Sequence, residues 1–169
     1  MQMVKNSLIL IVLLLLALVV FMPKKELYYQ LEKQLEAQNI VISGETLNEG
    51  LVSLTVEHPV FYLGGAQIAT AKQITLWSLL LYTKAEIEEM QIAEGLPTAL
   101  SLQQAIATHS VIAPLQVKIE AESSLGGIAG EVLLQERSLH LELADMQENR
   151  AFTKYLKKGE KGWYYESQF

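Results

Sequence analysis

Hydrophobic and polar positions divide the chain into three stretches with different periodicities. Residues 7–22 form an uninterrupted apolar run, SLILIVLLLLALVVFM, that contains no charged residue. In residues 24–38 the apolar positions recur three and four residues apart, which predicts an amphipathic helix. From Ile40 onward, short alternating runs are separated by turn residues, as is typical of β-strands. The pattern therefore predicts two helices followed by a β-domain.

The apolar run is interpreted as an uncleaved transmembrane anchor over residues 1–23. As a helix it spans roughly 24 Å, and flanking lysines that extend toward the headgroups fit it to a bilayer core of about 30 Å. A cleaved signal peptide and a buried helix are the alternatives. A signal peptide needs small residues after its apolar run, whereas this run ends in VVFMPKK, with Ala17 as an isolated small residue. Residues 24–39 are assigned to a juxtamembrane helix that ends at Asn39.

Alternation is clearest in the second half of the predicted β-domain, residues 40–146. Apolar and polar residues alternate strictly from Leu115 to Glu122, which predicts a strand with one dry and one wet face. Similar runs lie on both sides of it, and short turns join them. Consecutive strands with such turns form an antiparallel meander. A sheet with one apolar face must have that face covered, and residues 77–82 and 147–158 are the segments available as lids beyond the membrane. If these lids are insufficient, the sheet curves and leaves an apolar trough that could hold an acyl chain.

Three segments are less regular. Residues 77–82, WSLLLY, are apolar on all sides and are interpreted as a buried turn of helix, and residues 44–50 are interpreted as a turn. Residues 84–93 fit either a helix or a strand with a bulge at Glu88-Glu89, and the strand is favoured. Residues 147–158 fit a short amphipathic helix. The predicted fold class is mainly β (α+β): a transmembrane helix, a juxtamembrane helix, and an antiparallel, curved meander sheet with one or two short helices.

Composition narrows the function classes. Half of the residues are apolar and 19% are charged, which excludes a disordered chain. The net charge of −6 argues against nucleic-acid binding, which normally needs an excess of basic residues. The chain has no cysteine, so disulfides, thiolate catalysis and cysteine-bound zinc are excluded.

Candidate catalytic chemistry is sparse. The histidines are His58, His109 and His140, and they are far apart in the sequence. No G-x-S-x-G, no H-x-x-x-H and no phosphate-binding glycine loop occurs. His109 shares the alternation of Ala105 and Ala107, so it faces the core or a groove, and His140 alternates with leucines, so it faces water. The sequence assigns no catalytic, cofactor-binding or metal-ligating residue; an enzyme that uses His109 with a nearby glutamate is the weakest hypothesis.

The C-terminal segment, residues 147–169, is locally basic and rich in aromatic residues. It combines lysines and Arg150 with Phe152, Trp163 and neighbouring tyrosines. One interpretation is a surface for anionic lipid headgroups or an acidic partner. The other is a capping helix whose aromatic side chains cover one end of the sheet.

This organisation resembles the type II secretion system protein N family and the broader AsmA-like group of envelope proteins. The resemblance extends over roughly residues 5–145. It rests on the N-terminal span, on a W-x-L-L-L element at Trp77–Leu81, and on a late G-x-x-G-x-[VI]-x-L phrase. The residues that match the second phrase are Gly127, Gly130, Val132 and Leu134.

The resemblance implies an inner-membrane protein with a periplasmic β-domain and no enzyme activity or cofactor. For protein N-like members it implies an accessory role beside secretion proteins, and for AsmA-like members a role in lipid movement or envelope homeostasis. The charge count alone indicates the opposite topology, because Lys24, Lys25 and Lys33 follow the span and only Lys5 and the α-amino group precede it. The first hypothesis is therefore an accessory or structural component of a secretion or envelope assembly, and the alternative is a lipid-binding β-groove.

Overall fold

The fold is mainly β, as the alternation predicts. In the computed structural model, 66% of the chain is strand, arranged as one open, curved, antiparallel sheet. The structure describes residues 7, 9–11, 13–14, 17, 19–79, 81–92, 101–124, 126–144, 156–159 and 162–168.

One amphipathic helix, α1 (Lys24–Glu36), precedes the sheet and confirms the helix predicted from the periodicity. It ends in a turn at Asn39, whose φ is +62°. The described positions between residues 7 and 20 are also helical. Within the described ranges, no helix combines the length and apolarity that a bilayer crossing requires. The transmembrane anchor over residues 1–23 stays a prediction.

The sheet has 12 strands in the described residues. Their bounds are β1 (Ile40–Ser43), β2 (Thr46–Glu49), β3 (Ser53–Glu57), β4 (Val60–Leu63), β5 (Ala66–Leu79), β6 (Tyr82–Ile92), β7 (Ser101–Ser110), β8 (Ala113–Ser123), β9 (Gly126–Leu133), β10 (Ser138–Ala144), β11 (Lys157–Gly159) and β12 (Gly162–Gln168). From β5 to β10, each strand pairs antiparallel with the next, which confirms the predicted meander. On the other edge of β5, β4 pairs with its first half and β3 with its second half.

A line of kinks crosses the first strands of the sheet. Gly44 separates β1 from β2, His58 lies between β3 and β4, and Glu89 lies within β6; all three have positive φ. In β5, Lys72 lies at the same level, because its carbonyl accepts a 2.9 Å hydrogen bond from the His58 N–H and its ammonium pairs with Glu89. The bulge predicted at Glu88-Glu89 is wrong, because the register of β6 against β5 and β7 continues through Glu89 without an extra residue; Glu89 forms a local kink instead.

The kinks keep apolar side chains on the side of α1. Helix α1 packs against β1, β2 and β3. Ile42 of β1 is buried, and Leu47 of β2 packs against the core. In a regular strand, residues an odd number of positions apart point to opposite faces. The left-handed conformation of Gly44 changes the phase between them, so both residues are placed toward the helix.

The core lies between α1 and the first part of the sheet. It consists of Tyr28, Leu54 and Val56, with Leu47, Ile74 and Leu76 packed around them. The Tyr28 hydroxyl donates a 3.3 Å hydrogen bond to Glu45. Burial, and secondarily the negative charge of Glu45, raises the pKa of the Tyr28 phenol.

Several local predictions are wrong. Residues 77–79 complete β5 and Tyr82 begins β6, so these residues of WSLLLY belong to a β-hairpin instead of a buried turn of helix; Leu80 lies outside the described residues. Residues 44–50 contain β2. Lys157 and Lys158 belong to β11, so the helix predicted over residues 147–158 does not include them; residues 147–155 lie outside the described part. The physical reason is the same in each case, since pairing with the neighbouring strand of a hairpin outweighs the local preference of the segment.

The C-terminal segment is part of the sheet. Strand β12 pairs with β10 from Ser138 to Leu143, and β11 pairs with the outer edge of β12. The capping-helix interpretation of Trp163 and its tyrosine neighbours is therefore wrong, because these residues extend the sheet as a strand.

Candidate functional site

The cross-strand register defines an apolar face that extends across the sheet from β3 to β12. Directly paired residues project to the same face. One row of paired side chains is Val56, Ile74, Ile87, Ala105, Ala121, Ile128, Leu143 and Trp163. The adjacent row is Leu54, Leu76, Ala85, Ala107, Ile119, Gly130, Leu141 and Tyr165. Neither row contains a charged side chain.

Only the beginning of this face is covered within the described residues. Leu54 and Val56 are 3% and 2% exposed, because Tyr28 of α1 packs on them. From β7 to β12, the side chains of both rows are only partly buried. In the described ranges, the substantial contacts of these strands are with their neighbours in the sheet. Among the described residues, the second part of the face therefore has no substantial cover outside the sheet, and we call it the open surface.

Small side chains form a shallow strip at the border of the open surface. Ala85, Ala105, Ala107 and Ala121 are neighbours by register, and we call them the alanine floor. Larger side chains rise on both sides of the floor. Ile74 and Leu76 with α1 lie on one side, and Ile119 and Ile128 lie on the other.

Gly130 shapes the far part of the same surface. A Cβ atom at Gly130 would lie 2.1 Å from the His140 carbonyl oxygen and 2.8 Å from Cδ2 of Leu141. No side chain fits there, and Leu141 occupies the space above the glycine. The phrase Gly127, Gly130, Val132 and Leu134 thus includes one position, Gly130, where packing requires glycine.

A cavity lies next to the N-terminal segment, at the covered part of the apolar face. It has a volume of about 230 Å³ and lies between α1 and the sheet. Its lining includes Met22, Leu27, Leu31, Trp77 and Thr83. Met22 is the last residue of the apolar run, so the run arrives where α1 meets the apolar face.

The opposite face of the sheet is polar. Glu86 pairs with Lys84 at 2.7 Å and accepts a hydrogen bond from Gln104, and these contacts lower the pKa of its carboxyl group. Gln116 donates to Glu131, and Lys157 lies 3.3 Å from Glu166. The two faces therefore differ in chemistry along most of the sheet.

The histidines do not converge in the structure. His109 faces the apolar side with Ala107, and its Nε2 lies 3.0 Å from the Pro114 carbonyl oxygen. His140 is on the polar face, as predicted; it stacks on Tyr164, and its Nε2 lies 3.8 Å from Glu142. Among the described residues, no group of histidines and carboxylates is arranged to hold a metal ion. Asp145, the only aspartate in the sequence and thus the only one that could orient a histidine, lies outside the described residues.

Comparisons of the chain with protein-family models, with curated proteins and with solved structures found no match. The resemblance to type II secretion system protein N and AsmA-like proteins stays a prediction. The arguments about function therefore rest on the apolar face and on the elements around it.

Proposed function

We propose that this chain is a non-enzymatic, membrane-anchored β-domain whose open apolar face binds the acyl chains of lipids. The observation that supports this proposal is the continuity of the two apolar rows beyond the part that α1 covers. Removing apolar surface from water lowers the free energy by about 25 cal/mol per Å². A face of this extent therefore favours a cover.

An acyl chain suits the shape and chemistry of the surface. Ala105 and Ala107 leave room above the sheet, and the larger Ile119 and Ile128 border that room on one side. An acyl chain needs no hydrogen-bonding partner, and the rows offer none from their side chains between β7 and β10. The proposed anchor, residues 1–23, keeps the face close to a source of lipid. By the resemblance, that membrane is the inner membrane and the β-domain is periplasmic.

The second candidate is an accessory component of a secretion or envelope assembly. A specific feature favours it: β11 pairs with β12 only from Gly162 to Tyr164. Within the described ranges, the outer edge of β12 from Tyr165 to Gln168 has no strand partner. Partner proteins add strands to such edges.

Photo-crosslinking tests the lipid proposal. The full chain is expressed in cells fed a diazirine-bearing fatty acid, irradiated and purified, and crosslinked peptides are identified by mass spectrometry. We expect crosslinks to β7–β10 residues of the apolar face. An Ala107→Trp substitution fills the alanine floor and should reduce these crosslinks several-fold.

The matched control is Thr108→Trp, which places the same side chain on the polar face of the same strand. It should leave lipid crosslinking unchanged. Equal crosslinking in both variants, or crosslinks confined to residues 1–23, would contradict lipid binding by the face. A protein crosslinked to Tyr165–Gln168 instead would favour the accessory role.

A further inference from the structure

Exposed apolar side chains are concentrated on adjacent turns at one end of the sheet. Ile112, in the β7–β8 turn, is 93% exposed, and its neighbour Val111 is also exposed. Leu79, Leu81 and Tyr82 are exposed in the β5–β6 turn. Leu51, in the β2–β3 turn, is exposed as well.

Register and hydrogen bonds place these turns side by side. Leu79 pairs with Tyr82, Tyr82 with Ser110, and Ser110 with Ala113. The Val111 N–H donates a 3.1 Å hydrogen bond to the Leu81 carbonyl, so the two turns are joined directly. The Ser78 N–H donates a 2.9 Å bond to the Val52 carbonyl, which brings Leu51 to the same end. We call these exposed residues the apolar tips: Leu51, Leu79, Leu81, Tyr82, Val111 and Ile112.

The β5–β6 and β7–β8 turns depart from ordinary turn chemistry, whereas the β2–β3 turn contains Gly50. Turns normally carry glycine, proline, asparagine, aspartate or serine. Residues 77–83, WSLLLYT, and 110–117, SVIAPLQV, contain no charged residue. The β7–β8 turn is nevertheless well fixed, because the Ile112 N–H donates to Ser110 Oγ at 3.2 Å.

The N-terminal apolar run joins the domain at this same end. Met22 and Lys24 line the cavity together with Trp77, Ser78 and Thr83, which are next to the β5–β6 turn. Lys24 also lies 3.8 Å from Glu49, the last residue of β2 before the turn that holds Leu51. At the opposite end of the sheet, the described turns contain Gly64 and Gly65, and Ser124.

We propose that the apolar tips enter the surface of the same bilayer that holds residues 7–22. Leucine, valine and isoleucine side chains insert at the boundary between headgroups and acyl chains, and Trp77 and Tyr82 have the amphipathic rings that favour this depth. The sheet then stands with its strands upright on the membrane, and its apolar face begins at the leaflet. This inference rests on the proposed membrane anchor and adds a second contact, which fixes the orientation of the domain.

Depth-dependent fluorescence quenching tests the contact. The chain has no cysteine, so single-cysteine variants of the full chain can each carry one NBD fluorophore in phosphatidylcholine vesicles. The variants are Ile112→Cys at a tip, Leu63→Cys as an exposed apolar control at the opposite end, and Val20→Cys in the anchor. We expect acyl-chain nitroxide lipids to quench the label at position 112 several-fold more strongly than at position 63. Aqueous iodide should quench the label at position 63 more strongly than the label at position 112.

The position 20 label separates the two proposals. Lipid quenching at position 20, with labels at 112 and 63 equally accessible to iodide, would overturn the tip contact and leave the anchor intact. Absence of lipid quenching at both 20 and 112 would overturn the anchor as well.

A second variant tests the tip without a label on it. Ile112→Asp, at a side chain that is 93% exposed, introduces a charge that opposes insertion without removing core packing. With the label at Leu81→Cys, this substitution should decrease lipid quenching and increase iodide quenching. Unchanged quenching of the Leu81→Cys label would contradict the proposal.

Discussion

The covered and the open parts of the apolar face have the same sequence pattern and different surroundings. Leu54 and Leu141 belong to the same row of paired side chains, yet Leu54 is 3% exposed under Tyr28 and Leu141 is only partly buried. The difference shows that alternation specifies which face of a strand is apolar and does not specify whether another element covers it. The predictions below test this contrast, from the largest expected effect to the smallest.

Leucine truncation should separate the two parts most strongly. Leu54→Ala removes a side chain from the core and is expected to cost about 2–5 kcal/mol, because a cavity remains. Leu141→Ala should cost about half of that or less, because its site is partly open. The measurement is urea unfolding of the full chain in detergent micelles, followed by the fluorescence of Trp77 and Trp163.

Equal costs for Leu54→Ala and Leu141→Ala would mean that another element or ligand covers Leu141 in the purified protein. Repeating the urea unfolding after extraction of bound lipid then distinguishes a cover formed by the chain from a cover formed by lipid. If the cost at Leu141 falls after extraction, the cover is lipid.

Two glycines of β9 offer a second contrast within the open part. Gly130→Ala is expected to destabilise the protein by about 1–3 kcal/mol, because the new Cβ would overlap the His140 carbonyl oxygen. Gly127→Ala should be nearly neutral, since no atom lies within 4 Å of the added carbon. Thermal unfolding of both variants checks the difference, and a neutral Gly130→Ala would show that β9 and β10 are farther apart than described.

Tyr28→Phe should weaken the covered part by a smaller amount. It keeps the ring that packs on Leu54 and removes the 3.3 Å hydrogen bond to Glu45, which is worth about 1 kcal/mol. Tyr29→Phe is the matched control, because Tyr29 is exposed on the same helix. The urea midpoint should decrease for Tyr28→Phe alone; equal midpoints would mean that the bond contributes nothing.

The smallest expected effect is the pH dependence of the stability that Glu86 contributes on the polar face. The pKa of Glu86 is lower in the folded state, because Lys84 and Gln104 donate hydrogen bonds to its carboxylate. Its stabilisation is therefore present above the pKa of an unfolded glutamate, about 4.3, and is lost as pH falls through the lower folded-state pKa. In Glu86→Gln, the fall in urea midpoint across this acidic range should be shallower than in the unchanged chain. If the urea midpoint of Glu86→Gln falls with pH as steeply as that of the unchanged chain, Glu86 does not contribute this stabilisation.

Much of the fold follows from the sequence, because strand alternation and helix periodicity are local properties. The alternation around Leu115–Glu122 predicted the meander, the spacing of residues 24–38 predicted α1, and the pattern of residues 84–93 predicted a strand there, although not its continuous register through Glu89. Of the candidate site, the apolar face itself could be predicted from the alternation, and so could the side of the sheet on which His109 and His140 lie.

Tertiary structure alone decided what covers the apolar face and which strand the C-terminal segment pairs with. WSLLLY has the composition of a buried segment, but Leu79, Leu81 and Tyr82 are exposed at a hairpin end because the register of β5 and β6 continues to Leu79 and Tyr82. The C-terminal aromatic residues became β12 because β10 offered a free edge. The physical reason is that hydrophobic burial depends on neighbours far away in the sequence. The alternation along a strand does not specify which distant element packs on its apolar face. The chain's own residues thus determined an apolar face, and only the assembled sheet decided that much of it has no substantial cover among the described residues.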